Sequence, residues 1–210
     1  MTRVATLTRT GYPSTLAAMA GDLMEQRVAA IVSLVDASEP RCGTTRLVCI
    51  DGPSGAGKTT LARRVAEALF APTVHMDDLY PGWDGLRDGV VRADEWVATP
   101  LRRGLPARYR RWDWTTDRYA EWVQLPGTDV LVLEGCGSGV RPVGDAASTL
   151  VWVEADEAVR HARGLARDAA YEPFWDRWAA QEKDLYAADG TRSRADLVVD
   201  TTEDGYLPLR

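Results

Sequence analysis

Between residues 14 and 37 the apolar positions Leu16, Met19, Ala20, Leu23, Met24, Val28, Ile31, Val32 and Val35 recur every three or four residues. That is the period of an α-helix with one apolar face, and Ser14 stands where a side-chain oxygen would cap the first turn. Beyond this helix the pattern changes. Five short apolar runs, RLVCID (46–51), PTVHM (72–76), DVLVLE (129–134), TLVWVE (149–154) and ADLVVD (195–200), are separated by stretches of helical spacing. Such runs suit strands covered on both faces, as in a parallel sheet. Helices are expected from the end of a glycine-rich segment to about Phe70, from Asp156 to about Asp168, and from about Pro173 to Ala188. Strand and helix in alternation predict an α/β fold, a parallel sheet of five strands between two helical layers, with ligands at the carboxyl ends of the strands. Residues 80–125 interrupt the alternation and crowd Tyr80, Trp83, Trp96, Tyr109, Trp112, Trp114, Tyr119 and Trp122 among arginines. Residues 1–13 read as a lead-in.

A length of 210 residues predicts a single domain spanning the chain, with its core over 46–200. The net charge of −6 argues against a general nucleic-acid binder, which carries a basic surface. Cys42, Cys49 and Cys136 are scattered and odd in number, so neither a disulfide framework nor a zinc site is expected. The two histidines, His75 and His161, are far apart in sequence and give little support to a histidine-based metal site. No apolar run approaches the ~20 residues of a membrane span, and Asp22 interrupts the apolar stretch near the N-terminus. A cytoplasmic protein without a membrane partner is the expectation. The oligomeric state stays open, a homo-oligomer included.

The chemistry begins at DGPSGAGKTT (51–60), placed between the first strand and the following helix. The letters fit the phosphate-binding loop G-x-x-x-x-G-K-[ST], with Gly52, Gly57, Lys58 and Thr59 as the fixed residues. Glycines let successive backbone N–H groups turn inward against the positive end of a helix, where they can hold phosphate oxygens. The candidate nucleotide contacts are Gly52, Ser54, Gly55, Ala56, Gly57, Lys58, Thr59 and Thr60. Lys58 would reach the β- and γ-phosphates of ATP and Thr59 the Mg²⁺ ion. Three carboxylates, Asp51, Asp77 and Glu134, fall at strand ends along the same edge, which suggests a metal and a reaction. Glu134 after VLVL has the form of an acid that holds Mg²⁺, or caps the turn that follows. Asp77 is a candidate general base and a second metal neighbour, or caps its own loop; Asp78 is the weaker alternative. Arg160, Arg163 and Arg167 share one helix face, either as a solvated stripe or as a lid that brings guanidinium groups to the transferring phosphoryl group.

Taken in order, these pieces resemble the uridine kinase and phosphoribulokinase group of phosphate-loop kinases. The likeness covers about residues 46–200, through DGPSGAGKTTLA, DDLY, VLEG, RHARGLARD and ADLVVD. It implies a P-loop NTPase three-layer fold of nucleoside-kinase type with a helical lid over about 156–188, and an acceptor segment over about 80–125. It implies that Asp77 is the base, that Glu134 helps hold Mg²⁺, that Arg160 contacts the nucleotide, and that Arg163 and Arg167 act in the lid. Tyr80 and, in a loose register, Asp84 fall on its acceptor side, as do Trp112, Asp117 and Arg118. Trp112 stands where that family has tyrosine, and Asp117 where it has the histidine that contacts uracil. The expected function is therefore ATP-dependent transfer of the γ-phosphate to a hydroxyl of a small molecule, of nucleoside-kinase (uridine kinase-like) type, with uridine and cytidine at best poor acceptors. A kinase for another metabolite or an antibiotic, and a regulatory nucleotide-binding NTPase, are the alternatives.

Overall fold

The computed structural model describes residues 13–204. Its centre is an all-parallel sheet of β1 (Arg46–Asp51), β2 (Thr73–His75), β5 (Val130–Glu134), β6 (Ala147–Glu154) and β7 (Leu197–Asp200), in the order β2-β5-β1-β6-β7. These are the five apolar runs of the sequence: β1 keeps the expected bounds, β2, β5 and β7 are shorter, and β6 begins two residues earlier, at Ala147. Alternate residues serve opposite layers. Leu47, Cys49, Leu131 and Leu133 join one core cluster, while Val48, Ile50, Val132, Val151 and Val153 join the other.

On the second face, α1 (Pro13–Ala37) packs Val28, Ile31 and Val35 with Leu61, Ala62 and Val65 of α2 (Lys58–Leu69). The side chains of Ser14, Leu16, Met19 and Ala20 lie outside the described residues, as does most of the lead-in expected over 1–13; Leu23 of the predicted stripe is exposed. The first face is covered by α3 (Leu86–Ala93), the short α4 (Thr99–Arg102) and a hairpin of β3 (Arg108–Asp113) and β4 (Arg118–Gln124). Also on this face is α6 (Trp175–Asp189), which follows α5 (Glu157–Arg167) through a 3₁₀ turn, Ala169–Phe174. A last short helix, α7 (Thr191–Arg194), leads into β7.

The hairpin is absent from the sequence reading. Its period of two is broken by a bulge between Arg110 and Trp112, so Tyr109 and Trp112 both turn inward although they are three residues apart. The hairpin ends on the turn that carries Asp77. Trp114 Nε1 donates to Asp77 O (3.0 Å), Tyr119 OH to Leu79 O (2.9 Å), and Tyr109 OH reaches Asp78 Oδ2 at 3.5 Å.

Candidate active site

The phosphate loop runs from the end of β1 into α2 through three glycines at positive φ: Gly52 (141°), Gly55 (77°) and Gly57 (93°). At Gly52 a Cβ would lie 1.9 Å from Val153 O, and at Gly55 2.1 Å from Arg160 O, so close approach as well as φ demands glycine there. No side chain caps α2 at Gly57, which leaves its first N–H groups directed into the cradle. Thr60 follows in the first turn. Lys58 is buried and donates to Pro53 O at 2.9 Å, with its ammonium 3.4 Å from Cys136 Sγ. Burial works against its charge, but the surroundings of Cys136, Glu182, Glu134 and Asp51 outweigh this and hold the lysine above its ordinary value. Burial pushes the Cys136 thiol up, so it stays protonated and donates to Glu182 Oε1 (3.0 Å).

The three strand-end carboxylates divide into different tasks. Asp51 is fully buried and accepts from Gly52 N (2.6 Å), Gly137 N (2.8 Å), Gly139 N (2.8 Å) and Tyr186 OH (2.7 Å). It pins the loop after β5 to the phosphate loop, which corrects its expected grouping with the reactive acids. Parallel register sets Glu134 beside Ile50 on one side and His75 on the other. Both Glu134 carboxylate oxygens lie 3.3 Å from Thr59 Oγ1, and Oε1 lies 2.6 Å from His75 Nδ1. A hydroxyl and a carboxylate at the mouth of a phosphate cradle are hard oxygen donors of the kind Mg²⁺ takes. No group of three His, Cys, Asp or Glu that could hold a metal unaided occurs among the described residues. The hydrogen bond to Glu134 raises His75 above its ordinary value despite partial burial.

Asp77 sits in a 3₁₀ turn (Met76–Asp78) directly after β2. Its side chain is open to solvent but ringed by protein. That surrounding and the Glu134 charge push its carboxyl up, while Arg167, Lys58 and His75 pull it down. These opposing influences join Asp77, Glu134, Lys58 and Arg167 in one electrostatic site. Asp78 is half-buried and turned toward Tyr109.

Other expected contacts lie elsewhere. Arg163 donates to Thr201 Oγ1 (2.9 Å), Thr201 O (2.8 Å) and Asp204 O (2.6 Å), so it ties α5 to the segment after β7 and reaches the phosphate loop only through Thr201. Arg160 reaches Ala155 O and Ser54 O, bracing the loop from behind. Arg167 is exposed and has no hydrogen bond or ion pair among the described residues. Ser54 turns its polar groups toward the lid, and Ala56 is buried with its carbonyl held by Thr201 Oγ1 (2.9 Å). Tyr80, expected at the acceptor, is only 1% exposed and donates to Cys136 O at 2.7 Å, which makes it a core residue.

Asp84 is ion-paired with Arg177 of α6 on the surface. Trp112 is buried against Tyr119 with its indole N–H unpartnered. Asp117 occupies the left-handed position of the hairpin turn (φ 52°), facing Gly82, and Arg118 is exposed opposite Asp113. An aromatic group the sequence did not resolve links the 3₁₀ turn before α6 to the hairpin instead. Trp83 stacks on Phe174 (4.3 Å, 3°) and Tyr171 (5.1 Å, 23°) of the 3₁₀ turn and meets Trp114 of the hairpin at 5.0 Å. Its parts are separated by up to 91 residues and no spacing rule joins them.

A family model described as an AAA domain matches residues 48–189. The chain belongs to that family. The chain is 30% identical over 148 residues to a bifunctional pantoate ligase/cytidylate kinase of Synechococcus, an alignment that covers 68% of this chain and 21% of that protein. It is 35% identical over 117 residues to a cytidylate kinase of Rhodococcus jostii, covering 54% of this chain and 45% of that one. The chain thus spans about a fifth of the Synechococcus protein and less than half of the Rhodococcus one. Among solved structures, a possible uridine kinase from Bacillus stearothermophilus superposes with a TM-score of 0.62 at 18% identity, over 84% of this chain and 99% of that one. The expected P-loop three-layer fold, of uridine kinase-like type, is the fold found.

Proposed function

We propose that the protein is an ATP-dependent kinase that transfers the γ-phosphate to a hydroxyl of a small molecule. The glycine cradle and Lys58 would take the triphosphate, with Thr59 and Glu134 holding Mg²⁺, which neutralises phosphate charge when bound. The observation that carries the hydroxyl reading is Asp77: a solvent-reachable carboxylate in the turn directly after β2, at the same strand-end edge as Glu134 and the phosphate loop. A phosphate acceptor is already an anion and needs no base, whereas a hydroxyl must lose a proton as it attacks phosphorus. A solvent-reachable carboxylate at that edge can take the proton. Arg167, free of other partners among the described residues, would meet charge developing on the transferred group.

The cytidylate kinase relatives supply the competing reading, transfer to a nucleotide phosphate. Steady-state ADP release with ATP and Mg²⁺ separates the two across nucleosides, sugars, antibiotics and nucleoside monophosphates. The proposal expects turnover of a hydroxylated compound and a ~10²- to 10⁴-fold loss of kcat in Asp77→Asn with ATP affinity kept. Turnover confined to nucleoside monophosphates, or full activity in Asp77→Asn, would overturn it. ATP hydrolysis without any acceptor would favour a regulatory NTPase.

A further inference from the structure

The peptide unit joining Pro53 to Ser54 is held from both sides. Its carbonyl, Pro53 O, accepts from the Lys58 ammonium at 2.9 Å, and its N–H, on Ser54, donates to Glu182 Oε1 at 2.9 Å. Both groups belong to one rigid plane, so a force on either end orients the other. The arrangement is a relay of charge: carboxylate, peptide dipole, ammonium. Each hydrogen bond has an ionised partner, and bonds in such a chain polarise and strengthen one another.

Glu182 is 3% exposed, on α6, and far from the loop in sequence. Its neighbours on the helix serve the same region: Trp178 meets the Tyr80 ring at 4.8 Å, and Tyr186 OH donates to Asp51 Oδ1 (2.7 Å). The remaining polar groups of Ser54 also face the lid. Its carbonyl accepts from Arg160 (3.0 Å), and its hydroxyl accepts from Tyr171 OH (3.1 Å) and lies 3.4 Å from Cys136 Sγ.

We infer that Glu182 is a positioning residue for the phosphate loop: it fixes the Pro53–Ser54 peptide so that Pro53 O anchors the Lys58 ammonium at the mouth of the cradle. The inference rests on the nucleotide reading for its consequence in binding, since Lys58 is the cation that would meet the phosphates. It does not rest on that reading for the geometry.

The test uses Glu182→Gln, which keeps an acceptor oxygen, and Glu182→Met, which fills similar volume without one. In the nucleotide-free protein, amide hydrogen exchange at Ser54 should be slow in the wild type and Glu182→Gln, and at least ~10-fold faster in Glu182→Met, as expected for a buried donor left without a partner. Titration with a non-hydrolysable ATP analogue and Mg²⁺ should show a Kd raised ~10-fold in Glu182→Met and restored to within a few-fold in Glu182→Gln. Exchange at Ser54 that is unchanged in Glu182→Met, or lost equally in both variants, overturns the inference. A wild type that does not bind the analogue overturns the nucleotide reading alone, because the exchange measurement still decides the role of Glu182. If Glu182→Met does not fold, Glu182→Leu carries the same decision: faster exchange at Ser54 than in Glu182→Gln supports the role, and equal exchange removes it.

Discussion

Tyr80 falls in a segment resembling one that serves the acceptor, yet the structure gives it a purely internal role, and the two roles predict different results for Tyr80→Phe. The ring is fixed by shape. A Cβ on Gly89 would lie 2.4 Å from Tyr80 Cδ1, and Trp178 meets the ring edge at 4.8 Å. Phenylalanine keeps all of that. What is lost is the hydroxyl's hydrogen bond to Cys136 O at 2.7 Å, which leaves a buried carbonyl without this donor.

A net hydrogen bond is worth about 1 kcal/mol and an abandoned buried acceptor costs about 1–3 kcal/mol, so Tyr80→Phe should destabilise by about 1.5–2 kcal/mol. With a urea m-value of about 2–3 kcal/mol/M for a protein of this size, the unfolding midpoint should fall by roughly 0.5–1 M. Affinity for an ATP analogue and KM for the best acceptor should stay within about twofold, because the hydroxyl faces the turn after β5 and not the cleft. A midpoint shifted by less than about 0.2 M together with a tenfold rise in acceptor KM would refute the reasoning and return Tyr80 to the acceptor.

The lid arginines should separate in the same way: Arg163→Ala loses about 1–2 kcal/mol of stability through its bonds to Thr201 and Asp204, with little change in rate. Arg167→Ala should leave the urea midpoint unchanged and lower kcat by ~10²-fold, as for loss of a donor aimed at transition-state charge. His75 is raised above its ordinary 6.5 by the bond to Glu134, so its contribution to stability is complete below pH 6.5 and is lost as pH rises through the folded value. An NMR titration of the nucleotide-free protein should place its midpoint above 6.5, and the stability difference from His75→Gln should shrink across that range. Asp189 is held down to about 2, since bonds from Thr191, Arg194 and Arg141 outweigh its burial. Its folded value lies below the ordinary 3.8, so the stability it adds is complete above that pH and disappears as pH falls toward 2. Urea unfolding of the wild type and Asp189→Asn should therefore differ at pH 5 and converge near pH 2.

The parts of this molecule that could be read from the sequence are those whose cause is local. The three central strands, β1, β5 and β6, announce themselves because both faces are buried, and the phosphate loop because its backbone needs glycine at fixed intervals. Asp77 and Glu134 follow from strand ends, which the parallel topology carries to one edge. Arginine roles did not follow from spacing. Three guanidinium groups at i, i+3 and i+7 share a helix face, but that face is wide enough for Arg163 to meet Thr201 while Arg167 reaches the field of Asp77. The hairpin was hidden by its bulge, since one extra residue turns a clean alternation into what looks like irregular aromatic crowding.

Glu182 left a weaker trace still. In sequence it is one acid among several on a helix, with nothing to set it apart from Asp176 or Asp184. Its distinction is burial, and burial is a property of where α6 lies against the loop. A carboxylate removed from water persists when donors replace the water it lost, and here they are the Ser54 amide and the Cys136 thiol. The donors come from two loops that the parallel sheet brings together, β1 to α2 and the turn after β5. If Glu182 acts as inferred, the position of Lys58 is set by a residue over a hundred positions away, through one peptide plane that no local pattern could reveal.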